Sequence, residues 1–339
     1  MKTLIFPIFF LLSQIIFAAP SYSADAKYTM TVATVAPSDS PWSALLTMFK
    51  TEVEKKSKGQ IKIKIMLGGA LGDENESVMK VSRGQIQAAG ASTGALASKI
   101  PELNIVELPY LFKNTEEADR VIDNILTAPM EKLFKDRGLV LGFWSENGYR
   151  NFGSRDFQIK SPADLKGKKM RAQESPVHIM MYKSFGAAAV PIPVTEVTQA
   201  LATGNVDGFD QAVLYAIAAG WSKSIKYFTI SEHIYQPAAI IFNAKWYNSL
   251  PKDLQKILVD EGRILQIKGR KAVRSIEPDL FEILKSEKIV VHKLSDAERK
   301  VFVEAAKPVY ADFRKTFGPK ASSLLDAVEA ELKIIRGGK

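Results

Sequence analysis

The stretch KKMRAQESPVHIMMYKSFGAAAVPIPVTEVTQALATGNVDGFDQA, residues 168–212, switches repeatedly between the period of a strand and that of a helix. Lys168–Ala172 alternates, which predicts a strand with Met170 and Ala172 on one face and Arg171 on the other. Pro176 opens a helix that runs to Phe185, since a proline costs no hydrogen bond in a first helical turn. Val190–Ile192 predicts a strand, Thr195–Thr203 a helix stopped by Gly204, and Val206–Asp210 a further strand. Strands alternating with helices in this way predict an α/β unit with a largely parallel sheet.

The same alternation runs through the upstream chain. Tyr28–Val35 predicts a strand, and Ser40-Pro41 starts a helix whose apolar positions Trp42, Leu45, Leu46, Phe49 and Val53 keep helical spacing. Strands follow at Ile61–Ile65, Ile86–Ala91 and Val140–Trp144, with helices at 73–83 and 115–137 between them. From Pro251 onward the pattern is mainly helical: 251–286, 295–316 and 318–335, with one strand at Ile289–Val291. Two α/β units without a polar linker between them predict two lobes joined by more than one strand crossing. Such lobes hold a ligand in the cleft between them.

Composition excludes several chemistries. The chain has 339 residues and no cysteine, so thiolate nucleophiles, cysteine-held metals and a lipidated N-terminal cysteine are all excluded. Its three histidines (His178, His233, His292) lie far apart and form no ligand motif. Lys and Arg number 46 against 37 Asp and Glu, a formal charge of +9, which favours anionic partners. The lysine clusters at Lys55-Lys56 and Lys166–Lys169 lack interleaved aromatics, so no nucleic-acid partner is expected. Residues 1–23 carry Lys2 followed by an apolar run broken by Pro7, Ser13 and Gln14, and then small residues. That run is short for a span of roughly 20 residues. It predicts a cleaved secretory signal and a periplasmic protein with no direct membrane anchor.

Gly68-Gly69-Ala70-Leu71-Gly72 turns a strand into a helix but lacks the G-x-G-x-x-G spacing of a dinucleotide site. Asp207 and Asp210 are read as structural caps, because no nucleophile or histidine stands beside them in sequence. No Ser-His-Asp arrangement, no cysteine and no G-x-S-x-G nucleophile elbow is read from the chain, which argues against a hydrolase or isomerase, and with neither a P-loop nor a dinucleotide motif no cofactor is expected. Arg150 and Arg171 carry more information. A guanidinium holds a carboxylate through two parallel hydrogen bonds, and it serves equally well in a buried salt bridge. The residues alone leave both uses open for each arginine.

Four stretches, in order and spacing, carry a resemblance: LGGALGDENESVMKVSRGQIQ (67–87), PELNIVELPYLF (101–112), NGYRNFGSRDFQIKSPADLKGKKMR (147–171) and FGAAAVPIPVTEVTQALATGNVDGFDQA (185–212). They resemble the DctP-type solute-binding proteins of tripartite ATP-independent periplasmic (TRAP) transporters, from about Tyr28 to about Ala330. The resemblance implies an α/β periplasmic binding protein of two lobes. Each lobe would be a mostly parallel sheet flanked by helices, formed by 24–148 with about 237–276, and by 149–236 with about 277–335. It implies a receptor that binds a small organic anion, a mono- or dicarboxylate, and delivers it to integral membrane permease subunits; a ligand-presenting sensor and a secreted hydrolase or isomerase are the alternatives. It implies that Arg171 clamps the ligand carboxylate, that Arg150 assists, that Gln211 hydrogen-bonds the ligand and that Val194 lines the pocket. Trp42, Phe209, Trp144 and Tyr235 are expected near the cleft, with Ser92, Thr93, Asn147 and Gln236 as neutral partners. Val35, Ser92 and Ala95 stand where the sialic-acid branch places hydrogen-bonding groups, so a sialic-acid-like ligand is not expected. A metal bridging ligand and protein is left open.

Overall fold

The structure, a computed structural model, describes residues 26–338. Nine strands form one continuous sheet: β1 (Tyr28–Thr34), β2 (Ile61–Met66), β3 (Ala88–Ser92), β4 (Leu139–Ser154), β5 (Lys169–Ala172), β6 (Ala188–Pro191), β7 (Gly208–Ala212), β8 (Tyr227–Asn243) and β9 (Val290–Lys293). Their order is β2-β1-β3-β8-β4-β7-β5-β6, with β9 paired to β8. β1, β2 and β3 are parallel to one another, and so are β5, β6 and β7. Between these two parallel sets run β4 and β8, paired antiparallel from Leu139↔Asn243 to Ser154↔Tyr227.

β4 and β8 make the molecule two-lobed and continuous at once. β3 joins the C-terminal part of β8, and β7 joins the C-terminal part of β4. Each long strand therefore begins in one lobe and ends in the other. The ladder breaks register between Glu146 and Gly148, midway along β4. Gly148 takes φ +98° there, a conformation that a side chain would strain. The polar run Ser145–Gly148 is strand, not the loop at which the sequence reading ended β4, and β8 was not foreseen at all.

The helices close over both faces. Pro41–Lys56 starts on a reciprocal pair of hydrogen bonds between Ser40 and Ser43, which satisfies two buried backbone donors that have no partner within the helix. It packs on the long helix Lys252–Ser286, which lies along β4. The C-terminal helix Asp296–Ile335 is broken at Gly318 (φ 74°, ψ −167°), just before Pro319, so the expected boundary between two helices holds. Its buried face, Phe302, Ala306, Val309 and Phe313, then Ala321, Leu325, Val328 and Leu332, lies against residues of both lobes, including Leu103 from one and Met181 from the other. Burial of this apolar stripe keeps the helix on the sheet.

Candidate functional site

Where the lobes meet, a cleft holds about 830 Å³ of atom-free space, part of it open to solvent. Its floor comes from alternate residues of the crossing strands: Phe143, Ser145 and Asn147 of β4, and Gln236, Ala238 and Ile240 of β8. β1 and β3 add Thr34, Gly90 and Ser92, and the helix Pro41–Lys56 adds Trp42, Leu45 and Leu46. The other lobe contributes Arg171, Gln173, Val194, Gln211 and Tyr215.

Arg171 is the cation of this cleft. Strand alternation turns it away from the buried Met170 and Ala172, as expected. Its Nε and Nη2 donate to the Ile192 carbonyl at 3.0 and 2.8 Å, and its guanidinium lies 5.4 Å from the Trp221 ring centroid. It is 2 % exposed and makes no ion pair among the described residues. Burial, and next the charge of Arg150, push its pKa down to about 10. A cation held out of water without a counter-ion is stabilised by any carboxylate that reaches it.

Arg150 is placed differently. It is fully buried behind the cleft floor and does not line the cleft. Its Nε donates to Asp210 Oδ2, its Nη2 to the Asp210 carbonyl, and its Nη1 to Gln211 Oε1 (3.1 Å) and Gln236 Oε1 (2.8 Å). Asp210 also accepts from Tyr182 Oη at 2.8 Å and faces His178 Nδ1 at 3.6 Å and His233 Nε2 at 3.4 Å. His178 Nε2 lies 2.6 Å from Glu107 Oε2, which crosses from one lobe to the other. Burial alone would push both carboxyls up. The Arg150 charge and the histidine contacts outweigh it at Asp210, and the His178 and Thr93 hydrogen bonds outweigh it at Glu107, so both stay ionised. Burial, followed by the Arg150 charge, pushes His178 down, but contacts to Asp210 and Glu107 reverse the sign and hold it above its ordinary value. Burial takes His233 down to about 4, because its contacts to Asp210, with no second carboxylate beside them, do not outweigh it.

Of the sequence-predicted site residues, Arg171, Gln211, Val194, Ser92, Trp42, Asn147 and Gln236 line the cleft. Phe209 does not: it is fully buried in an apolar cluster, edge-on to Trp221 at 5.1 Å. Trp144 and Tyr235 are also packed away from the cleft, their polar atoms bonded to Thr127 and Glu146. Among the cleft residues that the sequence reading missed are Gln173, Glu74 and Tyr215. Gln173 follows Arg171 by two positions and so shares its face. Glu74 starts the helix Glu74–Ser82, directly after the glycine-rich turn. Tyr215 lies on the helix Val213–Ala218 and donates to the Val35 carbonyl at 3.3 Å.

Glu74 accepts from the Ser92 amide (2.7 Å) and the Ser92 hydroxyl (3.0 Å). Burial raises its pKa, with the Ser92 hydrogen bonds opposing. Ser92 Oγ accepts in turn from Gln173 Nε2 at 2.7 Å, which ties the lobes together across the cleft. Gly90-Ala91-Ser92-Thr93-Gly94 has the G-x-S-x-G spacing of a nucleophile elbow, which corrects the sequence reading that this motif is absent. Ser92 has no histidine base, however; its hydroxyl is held by a carboxylate, a glutamine and the Ala95 amide. Among the described residues, no cluster of three or more His, Asp or Glu side chains could hold a metal ion.

Residues 32–316 match the model of the bacterial extracellular solute-binding proteins, family 7 (DctP). The chain belongs to this family. It is 32% identical to a solute-binding protein of Verminephrobacter eiseniae, over 88% of this chain and 89% of that one. It is 27% identical to the 2,3-diketo-L-gulonate-binding periplasmic protein YiaO of Escherichia coli, covering 83% and 85%. It superposes on a TRAP periplasmic solute-binding protein from Polaromonas sp. JS666 bound to D-erythronate with a TM-score of 0.84 and 29% identity, over 89% and 98%. As a TRAP-family solute-binding protein, this chain is a receptor and not an enzyme. Among the described residues no helix is long and apolar enough to cross a membrane.

Proposed function

We propose that this solute-binding protein captures a small organic acid on Arg171, between lobes that close on it, and hands it to a TRAP permease. The single observation that carries this reading is the buried guanidinium of Arg171, without an ion-pair partner among the described residues, in the cleft between the lobes. Lobes 24–148 with about 237–276, and 149–236 with about 277–335, are supported by the register break at Glu146–Gly148 beside Pro237, the middle one of three along the β4–β8 ladder, where a hinge breaks fewer ladder bonds than in regular strand. The acids named for YiaO and the Polaromonas protein agree with an anionic ligand. Export follows from residues 1–23, which lie outside the described residues; cleavage there leaves the mature receptor free in the periplasm. Intact-mass measurement on periplasmic extract should find a chain beginning near Ala24, and a membrane-bound chain beginning at Met1 would refute the cleavage. A thermal-shift screen of organic acids tests the binding. A ligand at 100 times its Kd adds roughly 2.7 kcal/mol of stability. An acid that stabilises the wild type should leave the Arg171→Ala protein unmoved.

A further inference from the structure

The cleft changes polarity along its length, and that gradient names a narrower class of acid. Resting on the receptor reading above, we propose that the ligand is a monocarboxylate with an apolar body of about four to six carbons, and not a dicarboxylate or polyhydroxy acid. The floor can be followed in rows across the strands. Asn147 and Gln236 form the first row, next to the Arg150 cluster. Ser145, Ala238 and Ser92 form the second, by the pairings Ser145↔Ala238 and Ser92↔Ala238. Phe143, Ile240 and Gly90 form the third, by Phe143↔Ile240 and Gly90↔Ile240. At ~3.3 Å per residue, the first and third rows stand about 13 Å apart.

Over the third row the roof is apolar as well: Leu45 and Leu46 from one helix and Leu265 from another. Gly90 keeps this end open, because a Cβ there would stand 2.8 Å from Ile240 Cδ1. The charged residues lining the cleft are Arg171 and Glu74. A ligand with its carboxylate on Arg171 therefore meets no second free cation among the described residues. A second carboxylate would face Glu74 or the leucine-lined end, and Arg150 is already paired with Asp210. Hydroxyls along the chain would lose water at the third row and find there one hydroxyl, that of Thr34 beside Gly90, which already accepts from the Ala36 amide at 3.2 Å. An alkyl, branched or aromatic body loses nothing there and buries apolar surface.

Three acids of equal carbon count separate these classes: hexanoate, adipate and gluconate, titrated calorimetrically into the mature wild-type protein. Hexanoate should bind at least tenfold more tightly than either of the others. Ile240→Thr removes the Cδ1 methyl of the third row and adds a hydroxyl; it should weaken hexanoate about tenfold and propanoate much less, since propanoate ends before that row. Adipate or gluconate binding as tightly as hexanoate would overturn the inference. If that binding still vanished in Arg171→Ala, the receptor reading would stand and only the ligand class would fall. Failure of all three acids and propanoate to bind would overturn both. The wild-type ranking decides the question even if Ile240→Thr does not fold.

Discussion

Two buried arginines sit on either side of the cleft floor, and their surroundings give them opposite roles. Arg150 is surrounded by its own counter-ions: Asp210 directly, and Glu107 through Gln236. Arg171, on a neighbouring part of the same sheet, has one carbonyl, one aromatic face and no carboxylate. A buried charge with its partners supplied by the chain is part of the fold. A buried charge without them has a destabilised cationic form, and a ligand carboxylate relieves it. The difference separates a structural arginine from a receiving one more sharply than position does, since both follow polar-rich segments of similar composition.

Exchanging each arginine for methionine tests this contrast most severely. Arg150→Met leaves Asp210 buried beside two histidines without its main partner, and should cost about 3–5 kcal/mol of folding stability. Urea unfolding measures it; near-native stability together with lost ligand affinity would mean that Arg150 serves the ligand instead. Arg171→Met should leave stability equal or higher, because it removes an uncompensated charge, while acid binding falls by about 2–5 kcal/mol. Calorimetry on the same two proteins gives the second half of the comparison. Equal behaviour of the two variants in both assays would erase the distinction drawn here.

The α/β unit at 168–212 was legible because Pro176, Gly186 and Gly204 punctuate short runs whose period switches between strand and helix. The crossing strands were not. β4 was read only as Val140–Trp144, since Ser145-Glu146-Asn147-Gly148 looks like a turn. β8 carries Ser231-Glu232-His233 and Pro237, which break any apolar alternation, and a proline argues against a central strand. These polar residues sit in strands because the site and its supporting network lie there: His233 faces Asp210, and Gln236 and Asn147 face the cleft. Periodicity fails where function replaces apolar residues with paired polar ones. The two arginines could not be told apart in sequence for a related reason. The carboxylate that claims Arg150 is Asp210, on a strand distant in the chain, and only the β4–β7 pairing brings them together.

The Arg150 region should also carry the acid sensitivity, while the Arg171 region should not. His233 falls to about 4 when folded against an ordinary 6.5. Between those values the unfolded chain binds more protons, so stability rises with pH through this window and is lost as pH drops toward 4. A gap of that size corresponds to at most about 3 kcal/mol at ~1.4 kcal/mol per unit. His178 acts in the opposite sense: its raised value gives stability that is present below 6.5 and lost as pH rises through its folded value. Glu277, raised to about 7 by burial and next by Glu232, also loses stability as pH rises between 4.5 and 7. The wild-type profile is therefore flatter than any one group implies. Denaturation of His233→Gln across pH 4–7 should show a shallower fall on acidification than wild type, and an unchanged slope would remove His233 from the account.

The smallest expected effect lies on the chain of hydrogen bonds that connects the two regions. Arg150 donates to Gln236 Oε1, Gln236 Nε2 donates to Gln173 Oε1 at 2.7 Å, Gln173 Nε2 donates to Ser92 Oγ at 2.7 Å, and Ser92 Oγ donates to Glu74 at 3.0 Å. Gln173 is the member that spans the lobes at the cleft, so its bond to Ser92 exists only when the lobes are together. Gln173→Ala should weaken acid binding by about 1 kcal/mol, the net worth of one intramolecular hydrogen bond, or roughly fivefold. Unfolding stability should fall less than in Arg150→Met, because Ser92 keeps Glu74 and Gln236 keeps both Arg150 and Glu107. Stopped-flow binding locates the loss: a closure contact shows itself in faster release of the acid with the association rate nearly unchanged. A Gln173→Ala protein that released its acid at the wild-type rate would show that the Ser92–Gln173 bridge does not hold the lobes shut, and would shift that role to the ligand on Arg171 and to the other contacts between the lobes, Tyr215 with the Val35 carbonyl and His178 with Glu107.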